Sequence, residues 1–300
     1  MESTLLIFLD GIGIGEEDYE FNPFFKYGFK TFENIFNQIP STANSFFKKD
    51  NIFLWGTDAN LGIEGLPQSG TGQTSIFTGI NAPSIIGQHF GPYPYSTLLP
   101  TLKQKNIFKE FLNRNKKVFF ANAYPKIFFD YVNSGRRRLS VTSLSCLYSE
   151  VKLQSVTALR KGKALSAEID NSRWVNKLGY NLPIIKPQTA ANRLIKIASE
   201  NNFTLFEYFL SDHLGHWRER EHFNRIFKTL DDFLFEILTK LPKEITLLIC
   251  SDHGNLEDLS TKMHTRNPAL TISAGKYSHK FYERIRSLDQ IKDAILELHQ

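Results

Sequence analysis

Three short apolar runs, each too brief for a helix and each leading to an aspartate, constrain this chain more than any other feature. Residues 4–9 (TLLIFL) lead to Asp10, residues 203–210 (FTLFEYFL) to Asp212, and residues 245–250 (ITLLIC) to Asp252. Continuous apolar runs of this length between polar boundaries read as strands buried on both faces. Residues 117–121 and 269–273 read the same way. Helical patterns occupy residues 97–114, 188–201, 218–241 and 288–298, the last opened by a capping box from Ser287 to Gln290. This alternation predicts an α/β fold, an α/β/α sandwich with a mostly parallel central sheet. Ligands of such sheets collect at the carboxyl ends of the strands, so the three carboxylates are expected in one crevice.

Taken singly, each aspartate could cap a turn or a helix. Their neighbours argue for more. His216 follows Asp212 by four residues in SDHLGH, His253 follows Asp252 directly in SDHGN, and His264 opens HTRNP. The chain has eight histidines but only two cysteines, Cys146 and Cys250, which excludes a disulfide scaffold and zinc held by clustered thiolates. A metal would therefore use imidazole and carboxylate. Asp10, Asp212, His216, Asp252, His253 and His264 are candidate ligands, enough for two sites of three. His213 adjoins Asp212, but successive side chains leaving a strand diverge, so it is expected behind the ligands.

A small-residue turn, PQSGTGQTSIFTG at residues 67–79, leads into a helix. A hydroxyl at such a helix start, beside a metal, can act as a nucleophile. Ser69 is the candidate and Thr71 the alternative. The GIGIG run invites a dinucleotide-binding reading that fails, because its third glycine would fall on Glu16. Gly11 and Gly13 are read instead as a tight turn behind Asp10.

Residues 125–186 interrupt the alternation with a Ser-rich, basic stretch carrying Arg136, Arg137 and Arg138, then Arg160, Lys161 and Lys163. We read it as an inserted cap on a core formed by residues 1–124 and 187–300. The net charge of +5 suits an anionic ligand, and no basic module interleaved with aromatics accompanies it, so no nucleic-acid partner is expected. No run approaches the ~20 apolar residues of a membrane span. No membrane partner is expected, the default location is cytoplasmic, and no feature sets an oligomeric state.

Together LDGIG at Asp10, the Ser69 segment, DHLGH, SDHGNLE and HTRNP resemble the alkaline phosphatase superfamily, and they occur in its order. Ser-x-x-Gly at residues 69–72, SDHGN-x-E and His-Thr-x-Asn-Pro look like the branch containing cofactor-independent phosphoglycerate mutase and phosphopentomutase. The resemblance implies an α/β/α sandwich with two divalent metal ions, zinc or manganese. Asp10, Ser69, Asp252 and His253 would hold one ion, and Asp212, His216 and His264 the other. The spacing from Ser69 to Gly79 equals the family spacing from nucleophile to closing glycine and favours Ser69 over Thr71.

Departures from the resemblance narrow the activity. Sulfatases of the superfamily carry Pro and Arg two and four residues after the nucleophile, where this chain has Thr71 and Gln73. Phosphodiesterase branches show an aromatic-Pro-Asn run where it has Gly70, Thr71 and Gly72. The mutases carry a larger inserted domain than the roughly sixty residues present here. The expected activity is thus hydrolysis of a small phosphorylated metabolite through a Ser69 phosphoserine. A phosphomutase is the alternative, and a metal-binding module without chemistry the second alternative. Two divalent ions would be neutralised by three carboxylates and a Ser69 alkoxide. Phosphate would then need further positive charge, for which Arg136, Arg138, Arg160, Lys163 and Arg266 are the candidates.

Overall fold

A computed structural model describes residues 2–136 and 138–300. The expected runs form β1 (Ser3–Leu9), β4 (Val118–Phe120), β7 (Phe203–Tyr208), β8 (Ile245–Ser251) and β9 (Ala269–Ala274). Two strands that the sequence reading missed, β2 (Phe47–Lys49) and β3 (Ile52–Thr57), complete a seven-stranded sheet of order β2-β3-β9-β8-β1-β7-β4. β5 (Ala123–Tyr124) and β6 (Gln154–Ser155) make a separate short ladder. In the main sheet β8, β1, β7 and β4 pair in parallel, whereas the β8–β9, β9–β3 and β3–β2 ladders are antiparallel. The sheet is therefore mixed, although all its strands except β2 and β9 point the same way.

Period-two alternation divides the core into two layers. From β1, Leu5, Ile7 and Leu9 face one cluster, covered by the helices Lys30–Phe36, Pro187–Ser199 and Phe223–Lys240. Leu6 and Phe8 face the other, covered by the helices Ser69–Thr78, Ile107–Asn113 and Ile291–Glu297. All seven residues of β1 are buried. This is the α/β/α sandwich, and β1, an interior strand between β8 and β7, carries Asp10 at its end.

The helix expected over residues 97–114 is split at Asn106, whose side chain accepts from the Lys109 N–H and caps a second helix. The helix expected from residue 218 begins at Phe223, after a short 3-10 turn at Arg220–His222. Within residues 125–186, Leu139, Val141, Leu144, Cys146 and Val151 pack into the second core cluster. Leu159, Ala164, Trp174 and Leu182 form a small nucleus of their own with Ala123. No helix among the described residues is long and apolar enough to cross a membrane.

Candidate active site

Sheet register brings the site together. Leu9 pairs with Tyr208 on one side and Ser251 on the other, so β1, β7 and β8 end level with one another. Asp10 and Asp252, the next residues of β1 and β8, are neighbours as a result. Gly11 adopts φ +69 directly over Asp212, whose Cβ would lie 3.1 Å from any added Cβ, and its N–H donates to Asp252 Oδ1 at 3.2 Å. A side chain there would meet both left-handed strain and a ligand backbone.

Asp212 departs from the sequence reading in one respect. β7 stops at Tyr208, and residues Leu210–Gly215 form a helix, so Asp212 sits in a first helical turn and not at the strand end. Helical i, i+4 spacing then puts His216 on the same face. His216 Nε2 lies 3.2 Å from Asp212 Oδ1, and His264 Nε2 lies 3.5 Å from the same oxygen. His213 turns aside to the Phe209 ring, at a centroid distance of 5.2 Å. Burial pushes its imidazole down to about 4.

Ser69 opens the Ser69–Thr78 helix. Its Oγ is 3.0 Å from His253 Nε2 and 3.5 Å from Asp10 Oδ1. His253 Nε2 is in turn 3.3 Å from Asp10 Oδ1 and 3.6 Å from Asp252 Oδ2. The helix can approach this closely because of Gly72, where an added Cβ would lie 2.9 Å from the Asp252 carbonyl oxygen. Thr71, the alternative hydroxyl, is fully buried and donates to the Gln68 carbonyl.

Two groups of donors thus converge, Asp10, Ser69, Asp252 and His253 in one and Asp212, His216 and His264 in the other. The His253 and His264 rings stack at 3.8 Å between them, and His253 is within ligand reach of both groups. The donor chemistry fits metal ions. His216 Nδ1 donates to the Lys262 carbonyl at 2.6 Å and His264 Nδ1 to the Pro67 carbonyl at 2.7 Å. Those partners fix the tautomer and turn both Nε2 lone pairs inward, 3.1 Å apart. A shared proton satisfies one such pair, whereas a cation satisfies both nitrogens and the Asp212 oxygen together. Donors about 2.0–2.1 Å from a tetrahedral ion lie roughly 3.3–3.4 Å from one another, which is the spacing found here.

Electrostatics point the same way. Burial, reinforced by Asp252, Asp212 and Glu207, pushes the Asp10 carboxyl well above its usual range. Glu207 is raised to about 7, chiefly by burial. Burial alone would raise Asp212 too, but the adjoining His216 and His264 side chains, with His253 nearby, outweigh it and hold that carboxyl low. Three buried carboxylates, with the partly buried Asp10, beside three imidazoles make a site that favours positive charge.

The sequence reading missed the residues that hold these candidate donors in place. Asn255 Nδ2 donates to Asp212 Oδ1 at 2.8 Å, and Gln73 Nε2 to Asp252 Oδ2 at 3.2 Å. Glu257, 1% exposed, accepts from the N–H groups of Gly13 and Asn255, from the Thr265 hydroxyl and from the Asn267 amide. Glu257 and Asn255 lie within SDHGNLE, so the motif itself was the available signal.

A cavity of ≈ 480 Å³ opens over Ser69, Asp10 and Asp212, with Arg138, Arg218 and Tyr93 on its walls. Of the expected phosphate-binding residues, Arg138 lines it, its guanidinium 4.9 Å from the Tyr93 ring centre. Arg136 lies against the Tyr131 ring at 5.5 Å, and Arg137 falls outside the described residues. Arg160 is exposed at the end of the Val156–Arg160 helix, and Lys163 lines a different cavity, beside Arg193 and Lys196 of the Pro187–Ser199 helix. Arg266 is exposed and donates to the Gly65 carbonyl at 3.0 Å. Arg218 was not foreseen.

No curated protein sequence matches this chain. Among solved structures it is similar to the PH0037 protein from Pyrococcus horikoshii, with a TM-score of 0.53 and 12% identity over 91% of this chain and 85% of that one. It is similar also to alkaline phosphatase from the Antarctic bacterium TAB5, with a TM-score of 0.53 and 14% identity over 99% and 98% of the two chains. At such identities the likeness establishes an alkaline phosphatase-like fold. The family model of the metalloenzyme superfamily matches residues 2–300, and the chain belongs to that superfamily.

Proposed function

We propose that this protein is a metal-dependent phosphoester hydrolase in which Ser69 attacks a small phosphorylated metabolite and carries a phosphoserine intermediate. The observation supporting this most directly is the position of Ser69 Oγ, at a helix start, 3.0 Å from His253 Nε2 and facing the cavity over Asp10 and Asp212. The superfamily match and the likeness to an alkaline phosphatase support the same chemistry. Two divalent ions, zinc or manganese, held by the two donor groups described above, would supply Lewis-acid charge that lowers the Ser69 pKa and stabilises the leaving oxygen.

The chain's own residues do the rest. Ser69 Oγ forms a bond to phosphorus in line with the ester oxygen, whose bond to phosphorus breaks, and the hydroxyl proton leaves with the alcohol. Arg138 and Arg218 both line the cavity and suit the non-bridging phosphate oxygens. Asn255 and Gln73 hold Asp212 and Asp252 in place through both steps. Water then cleaves the phosphoserine and restores Ser69.

The test is a phosphoester panel with metal-loaded protein, scoring both free inorganic phosphate and isomerised product. Ser69→Ala should lower turnover at least about a thousandfold with unfolding unchanged. Full activity in that variant refutes the nucleophile. Isomerised product without phosphate release refutes the hydrolase in favour of a mutase, and no turnover across the panel favours a binding module.

A further inference from the structure

A second compartment of ≈ 220 Å³ adjoins the cavity over Ser69 and shares Tyr124, Glu207 and Phe209 with it. It is smaller than the ~300–1,000 Å³ of a whole small-molecule site, so it fits part of a ligand whose remainder lies over Ser69. Its walls include three aromatic rings, those of Tyr124, Phe209 and Trp174. Its polar groups are of both kinds. Arg173 lines it and leaves Nη1 buried without an acceptor. Glu168, 6% exposed, uses Oε1 to accept from the backbone N–H groups of Arg173 and Trp174, which locks the Trp174 helix at the wall.

Charge excludes a second phosphate from this compartment. Two carboxylates, Glu168 and Glu207, line it. Its two cations are already answered by Glu219, which lies 2.9 Å from Lys177 Nζ and 3.9 Å from Arg173 Nη2. Aromatic faces with a donor and an acceptor at the edge suit a flat heterocycle, which stacks through its π-face and hydrogen-bonds through its rim.

We infer that this compartment is the leaving-group subsite and that it takes a nucleobase, which makes the substrate class nucleoside monophosphates. The inference rests on the phosphoester reading of the Ser69 cavity. Phosphate would sit against Ser69, Arg138 and Arg218, and the base between Tyr124, Phe209 and Trp174.

The experiment compares adenosine 5′-monophosphate with ribose 5-phosphate, which present the same primary phosphate and differ in the base. Binding of each to metal-loaded Ser69→Ala protein is measured by titration calorimetry, and turnover of each by the wild type is measured beside it. Stacking of one base predicts at least about tenfold tighter binding of the nucleotide. Phe209→Leu and Arg173→Gln, on the Ser69→Ala background, should each narrow that ratio to threefold or less. Equal binding of the two ligands overturns the subsite, and so does a ratio that neither variant changes. Because binding is read without turnover, a tenfold preference in a protein that hydrolyses neither ester upholds the subsite while overturning the hydrolase.

Discussion

Glu257 offers the sharpest test of how the site is held, because an isosteric change should fail there. Its Oε2 accepts from Gly13 N and Asn255 N, both at 2.8 Å, while Oε1 accepts from the Thr265 hydroxyl and from Asn267 Nδ2 at 3.0 Å. Every partner is a donor. In Glu257→Gln one oxygen becomes an NH2 group: turned toward Gly13 and Asn255 it faces two backbone donors, turned toward Thr265 and Asn267 it must recruit the hydroxyl as acceptor and flip the Asn267 amide, and either way all four bonds lose their charged acceptor. Hydrogen bonds to a charged acceptor contribute about 1.5–3 kcal/mol each against about 0.5–1.5 kcal/mol for neutral ones, so weakening all four should cost roughly 4–6 kcal/mol. That is a large share of the ~5–15 kcal/mol that stabilises a typical domain. Urea unfolding in EDTA measures it without a contribution from metal binding, with an unchanged m-value confirming that the same surface unfolds. Because Glu257 joins the turn after β1 to the loops carrying His253 and His264, metal affinity should fall as well. A loss under about 0.5 kcal/mol would refute the claim that this carboxylate organises the site.

Metal added to EDTA-treated protein at a hundred times its dissociation constant should stabilise it by about 2.7 kcal/mol per site, read as a rise in melting temperature. Asp252→Asn and His216→Ala act on different donor groups, so each should reduce bound metal from two equivalents to one by elemental analysis, and retention of two by either variant contradicts the assignment. Glu207 gives a pH signature in metal-free protein. Its carboxyl is raised from 4.5 to about 7 by burial, so the folded state holds that proton more tightly than the unfolded chain. Its cost to stability is absent below about pH 4.5 and complete above about pH 7, amounting to roughly 3 kcal/mol. Glu207→Gln should therefore gain on the wild type by most of that amount between pH 5 and pH 8 in urea unfolding, and a pH-independent difference would refute the burial argument.

What the sequence made legible follows from how local each signal is. The apolar runs of β1, β7 and β8 are buried on both faces, so their composition alone marks them, and parallel pairing then aligns their ends. β3 was as apolar as these, with the run IFLWG, but its partner is β9, nearly 220 residues away and antiparallel, and nothing local states that pairing. The convergence of the His and Asp positions was readable because few residue types serve as metal donors. Of their support, Asn255 and Glu257 were signalled only by lying within SDHGNLE and Gln73 not at all, since these are common residues whose meaning depends on which carboxylate or N–H the fold sets opposite them. The same holds for the cations. Arg138 and Lys163 look alike in a basic stretch, yet the first meets the Tyr93 ring above Ser69 and the second meets the helix covering the sheet. Arg218 belongs to the opposite case. It follows Trp217, which has φ +61, and its N–H donates to the His213 carbonyl at 2.8 Å, so a turn just past His216 returns the chain to the cavity. Residue type and spacing nominate candidate metal donors. Which charges reach the substrate is decided by tertiary turns such as this one, and it can be tested only where the structure says they lie.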